Sequence, residues 1–232
     1  ETVLPQLPDK FDLQPERLIS LYTVGIGESA IQERIKDLII PREIKLGFRA
    51  ALGSVQVKLL FSQSCQATTI QSWTLQVKQL LGDFVYAVEG LGEQSGDLLT
   101  VIDRQMQSRQ HQLILIESIS YGLVAQRCLA YKWLKDAKLV HPEKNFASMC
   151  QSISPKSLIP QAGEIILSQS CLHSIEEIQD SQQSIELTIC LQTDSAEYHK
   201  QVVLAGSIDY KQQQAAIYTL DFLRRYLFNL CL

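Results

Sequence analysis

The stretch Leu113-Ile114-Leu115-Ile116-Glu117-Ser118-Ile119-Ser120-Tyr121-Gly122 constrains the fold most. Four consecutive apolar residues predict a strand buried on both faces, since a strand with one solvated face would alternate instead. Such strands belong to parallel or mixed sheets covered by helices. A short polar turn and a glycine end the run. Leu123, Val124, Arg127, Cys128, Tyr131 and Leu134 then follow at helical spacing. Open α/β sheets hold ligands at the carboxyl ends of their strands. This makes Glu117, Ser118, Ser120 and Gly122 the candidate pocket residues. A core strand followed by an ordinary capped helix would read the same way.

The flanking sequence divides into two patterns. In the first, residues 18–24 predict a strand, broken by Gly25-Ile26-Gly27. A helix is expected from Glu28, with Ala30, Ile31, Arg34, Ile35 and Leu38 on one face, closed by Pro41. Ile44, Leu46, Phe48 and Ala50 alternate, as do Val55, Val57, Leu59 and Phe61. With Gly53-Ser54 between them they predict a hairpin. Thr68 or Thr69 is the expected cap of a second helix carrying Ile70, Trp73, Leu75, Val77, Leu80 and Leu81, ended by Gly82. Residues 84–88 complete a β-α-β-β-α-β unit. Gly90, Gly92 and Gly96 mark the expected boundary.

In the second pattern Asp97 is placed to cap a helix with Leu98, Val101, Ile102 and Met106, followed by the opening strand. The pattern fades after Lys138 through Pro142 and Pro155. Pro160 suits the first turn of a helix containing Ile165, Ile166 and Leu167. Two strands, 185–191 and 199–205, flank a polar loop at 192–198. Ala216, Ile217, Leu220, Leu223, Tyr226 and Leu227 predict a terminal amphipathic helix. The expected fold class is therefore α/β (α+β): two small sandwich domains, mixed sheets flanked by helices. Their expected extents are 16–92 and 93–232, with 1–15 (Pro5, Pro8, Pro15) a linker from a preceding domain. The chain begins at Glu1, not Met, so a fragment or processed product is expected.

Composition narrows the partners. A net charge of −4 argues against nucleic acid or an anionic membrane. A basic strip of Arg42, Lys45, Arg49 and Lys58 reads as a solvated sheet face. No apolar run reaches bilayer length and no signal peptide is evident. The six cysteines form no C-x-x-C pair and the four histidines lie far apart, so no metal or cofactor is expected. Reduced thiols place the protein in the cytoplasm.

These segments together resemble the CinA family (competence/damage-inducible proteins), from about Pro15 to the end. Residues 22–29, Tyr-Thr-Val-Gly-Ile-Gly-Glu-Ser, resemble the start of the family's KH-like middle domain, and residues 44–61 its hairpin. Residues 116–127 resemble the A-E-S-C-T-G-G segment and the helix after it. Ala205-Gly206-Ser207-Ile208-Asp209 resembles the G-D-R motif. The resemblance implies a carboxy-terminal amidohydrolase that converts nicotinamide mononucleotide to nicotinic acid mononucleotide and ammonia. It also implies a preceding pyrophosphatase-type domain and a homodimer. The apolar terminal residues Phe222, Phe228, Leu230 and Leu232 agree with self-association.

The departures from the family fall on the chemistry. The family's G-S-S nucleophile and Y-S-N-x-x-K segment should follow Arg127, but residues 128–138 read Cys-Leu-Ala-Tyr-Lys-Trp-Leu-Lys-Asp-Ala-Lys. Its T-G-x-x-G-P loop is replaced by Cys190-Leu191-Gln192-Thr193-Asp194-Ser195, without glycine or proline. In the G-D-R motif Ser207 takes the aspartate position and Ile208 the arginine position. Ser118 with Lys132, Lys135 or Lys138 would be a relocated Ser–Lys dyad; Glu117 reads as a structural acid; Tyr121 is expected to fill the pocket. The expectation is a lapsed amidase kept as a structural or oligomerisation module, with no catalytic residue at the degenerate positions Glu117, Ser118 and Ile208. A residual nicotinamide mononucleotide deamidase and a nucleotide-binding regulator are the alternatives.

Overall fold

The computed structural model describes residues 16–51, 53–91, 97–141 and 159–232. The expected linker at 1–15, the glycines Gly92 and Gly96, and Pro142 and Pro155 lie outside the described residues. The chain divides between Ser95 and Gly96 into two compact units.

In the first unit, β1 (Arg17–Val24), α1 (Glu28–Ile35), β2 (Ile44–Ala51), β3 (Ser54–Phe61), α2 (Ala67–Leu81) and β4 (Val85–Glu89) follow the expected order. The sheet order is β2-β3-β1-β4, antiparallel throughout, the split-βαβ arrangement. Alternation puts Ile19, Leu21, Val55, Val57, Leu59 and Phe61 in one core with Ile31 and Ile35 of α1 and Ile70, Val77 and Leu81 of α2. Helix α1 ends at Ile35, before the expected Pro41. Neither Thr68 nor Thr69 caps α2. Its N-cap is Gln66, with no side-chain bond, and both threonines lie inside the helix. Gly82 ends α2 at φ +58, as its position implied.

The second unit contains α3 (Leu98–Arg109), β5 (Gln112–Glu117), α4 (Leu123–Cys128), β6 (Leu134–Leu139), β7 (Glu164–Ser170), α5 (Ile175–Gln179), β8 (Ile185–Gln192), β9 (Glu197–Leu204) and α6 (Ile208–Leu227). The sheet is mixed, in the order β6-β5-β7-β8-β9. β5 runs parallel to both its neighbours, as its unbroken apolar run required. Leu113 and Leu115 face a core filled by Ile102 and Met106 of α3, Val124 of α4, and Leu220, Phe222 and Leu223 of α6. Ile114 and Ile116 face the other side with Ile166 and Val140. Each fully buried aliphatic side chain contributes roughly 1.5–3 kcal/mol, which makes this strand the centre of the unit. Asp97 caps α3, accepting from the Thr100 N–H at 2.8 Å.

Two elements differ from expectation. The helix read through to Leu134 stops at Cys128, and residues 134–139 form the edge strand β6. Lys135, Asp136 and Lys138 hid its alternation, and charges of this kind blunt an exposed edge. The helix expected after Pro160 is the inner strand β7, with Ile165, Ile166 and Leu167 all buried. A short apolar run has no periodicity of its own, so only its neighbours decide between helix and strand. The loop expected at 192–198 is shorter, because β8 and β9 run on to Gln192 and from Glu197. No helix among the described residues is long and apolar enough to cross a membrane.

Candidate functional site

The turn after β5 is built around Glu117. Its side chain is fully buried. Oε2 accepts the N–H groups of Gly122 (3.1 Å) and Val124 (3.0 Å), and Oε1 accepts that of Ala125 (2.7 Å). These are donors that the first turn of a helix cannot satisfy internally. A carboxylate there also complements the positive end of the helix. Glu117 thus caps α4 from six residues upstream, because the intervening chain doubles back. Tyr121 (φ +49) and Gly122 (φ +88) make that reversal in consecutive left-handed conformations. The turn swings the Tyr121 ring outward, where it is 51% exposed. It does not fill a pocket.

The serines are engaged as well. Ser118 is 3% exposed, and its hydroxyl donates to the Gln169 carbonyl at 3.2 Å. The Ser118 and Ser120 N–H groups donate to Gln169 Oε1 at 3.3 and 3.2 Å. The Ser120 hydroxyl is shared between Glu117 Oε2 and Gln169 Oε1. Gln169 Nε2 donates to Thr219 Oγ1 at 2.7 Å, which donates on to the Ala215 carbonyl. This buried network ties β5, β7 and α6 together. Its acceptors and donors are occupied by one another, and no side-chain base meets the Ser118 hydroxyl among the described residues. Lys135 pairs with Glu164 and Lys138 with Asp136, so the relocated Ser–Lys dyad does not form through either. The Cys128 thiol is pushed up to about 12, chiefly by burial and then by the Glu117 charge, so it holds its proton at neutral pH and is no nucleophile.

The other sequence-predicted positions make local structural contacts. Ser207 caps α6 by accepting from the Tyr210 N–H, and Ile208 opens that helix, packed on the core. Thr193 closes the β8–β9 hairpin, its N–H donating to the Ala196 carbonyl at 2.8 Å. Phe222, expected on an association surface, is wholly buried in its own unit's core. Phe228 is exposed.

A cavity of about 650 Å³ lies instead at the amino end of β5. Asp103, His111, Tyr131, Lys132 and Trp133 are among its lining residues. Tyr131 and Trp133 stack with ring centroids 5.2 Å apart, and Trp133 Nε1 donates to Asp103 Oδ1 at 2.8 Å. Sequence reasoning looked to the other end of the strand and missed this group. The only local signal was two aromatic residues two positions apart around a lysine.

A family model described as the damage-inducible protein CinA KH domain matches residues 20–87. A CinA-like protein of Escherichia coli strain SMS-3-5 is 32% identical over 126 residues, covering 53% of this chain and 30% of that protein. The NMN amidohydrolase-like protein YfaY of Escherichia coli strain K12 matches with the same identity and coverage. The chain therefore spans about 30% of the length of these curated relatives. A solved CinA superfamily protein from Klebsiella pneumoniae has a TM-score of 0.44 and 13% identity, covering 57% of this chain and 96% of that one. A competence or damage-inducible protein from Enterobacter asburiae gives 0.41 and 10%, covering 57% and 99%.

Proposed function

For a chain related to the CinA-like proteins, we propose that the second unit is a lapsed nicotinamide-nucleotide amidase retained as a structural and self-association module. One observation carries the reading: Glu117, Ser118 and Ser120 spend their polar atoms on capping α4 and on Gln169. Amide hydrolysis needs an activated nucleophile and donors free to meet a developing oxyanion. Ser118 has neither, and Ile208 offers no charge. Groups that act as a unit fail together, so one restored residue would not restore the rate. Ile208→Arg alone is expected to stay inactive. In this reading the activity of the whole protein lies in a pyrophosphatase-type domain outside this chain.

Purified chain incubated with nicotinamide mononucleotide is expected to release no ammonia above the enzyme-free blank. Release abolished by Ser118→Ala would overturn the reading and identify a relocated serine. Release that survives Ser118→Ala would equally overturn it and direct attention to Tyr131 and Lys132. For self-association, light scattering is expected to report a dimer at about tens of micromolar, the regime that tests interfaces of ordinary size; a monomer there would remove that role.

A further inference from the structure

We propose that the β8–β9 hairpin carries a zinc-type divalent cation site made by Cys190, Glu197 and His199. Their ligand atoms all lie within 4.8 Å of one another, forming the one such His/Cys/Asp/Glu group among the described residues. The register explains the convergence. Cys190 lies directly opposite His199, and Gln192 opposite Glu197. Cross-strand partners share a face, and residues two apart on a strand share one too. All three side chains therefore project from the side of the sheet away from the core positions Leu187, Ile189 and Leu191.

The distances suit a metal. Glu197 Oε1 lies 3.6 Å from Cys190 Sγ and 2.7 Å from His199 Nε2. Bonds of about 2.3 Å to sulfur and 2.0 Å to nitrogen and oxygen, at tetrahedral angles, put ligand atoms roughly 3.3–3.6 Å apart. The sulfur–oxygen separation is already there. The nitrogen–oxygen pair must open by about half an ångström, and both side chains are roughly half exposed and free to turn. A thiolate, an imidazole and a carboxylate favour Zn²⁺ over hard cations such as Mg²⁺. Ser168, Gln192 and Gln201, the paired positions beside them on that face, are uncharged, so none of these strand neighbours competes for the carboxylate. Three protein ligands leave the fourth position for water.

Binding requires the Cys190 thiol to give up its proton to solvent and His199 to be neutral, so affinity rises with pH. Equilibrium dialysis of the metal-free full chain against Zn²⁺ is expected to give one ion per chain. Cys190→Ser and His199→Ala should each weaken binding by more than the roughly 10–100-fold lost with a mere supporting partner. Cys231→Ser, which removes an exposed thiol, should leave binding unchanged. Loading with Co²⁺ should produce a thiolate-to-metal absorption band that Cys190→Ser abolishes. His199 and Glu197 are exposed enough that His199→Ala and Glu197→Gln keep the fold, which circular dichroism checks. Absence of stoichiometric Zn²⁺ binding would overturn the site. So would binding that survives both ligand variants, or binding lost in Cys231→Ser.

Discussion

Removing the Glu117 carboxylate distinguishes a capping acid from a catalytic one. In Glu117→Ala the N–H groups of Val124 and Ala125 lose their acceptors, while Leu123 and Gln126 keep theirs on Ser120 and Gly122. The Ser120 hydroxyl still has Gln169. With the Gly122 N–H, which also loses its acceptor, three orphaned donors at about 1–3 kcal/mol each give a loss of roughly 3–9 kcal/mol. That is a large share of the ~5–15 kcal/mol that holds an ordinary domain folded. Glu117→Gln keeps one acceptor oxygen but loses the charge and turns an amide donor toward a donor. Its expected loss is about 1–3 kcal/mol. Urea unfolding followed by Trp133 fluorescence in a Trp73→Phe background reads the second unit alone, with an unchanged slope expected if only stability moves. The reasoning fails if Glu117→Ala costs less than ~0.5 kcal/mol, the scale of an unremarkable surface change. It fails too if Glu117→Gln is more stable than the parent, the usual outcome when a strained catalytic group is removed.

Two further outcomes rest on local geometry. Gly90→Ala should destabilise more than Gly122→Ala: a Cβ at Gly90 would sit 2.4 Å from the Leu18 carbonyl oxygen, whereas one at Gly122 first meets Leu139 at 3.6 Å. Gly122→Ala then costs only its left-handed strain, about 1–2 kcal/mol, and urea melts of the two variants give the comparison. A brief iodoacetamide pulse on the native chain, read by peptide mass, should label exposed Cys231 and spare buried Cys128. Because folding raises the Cys128 pKa from 9.0 to about 12, its contribution is intact below pH 9. It is lost as pH rises from 9 towards 12, since the unfolded thiol ionises first. A melting temperature with no alkaline decline across that window in the parent, relative to Cys128→Ala, would contradict this.

The sequence by itself determined features whose signals are local. Alternation in β2 and β3, helical spacing in α2, Gly82 at a helix end and Asp97 at a helix start each depend on residues a few positions apart. The β-α-β-β-α-β order was therefore legible without knowing any contact. The unbroken run at Leu113–Ile116 also announced a strand covered on both faces. What only the tertiary structure decided were pairings across long separations. β6 and β7 became strands because β5 offered both its edges; their own sequences were too charged or too short to say so. Glu117 and Ser118 looked like a site because strand ends often carry one. Their hydrogen-bond partners come from Gln169, about fifty residues away, and from a reversal that brings the α4 donors back to the carboxylate. Cys190 and His199 showed no ligand spacing because spacing rules count along one strand or one helix. Their meeting is set by the register of two antiparallel strands, which places residues nine apart in sequence side by side.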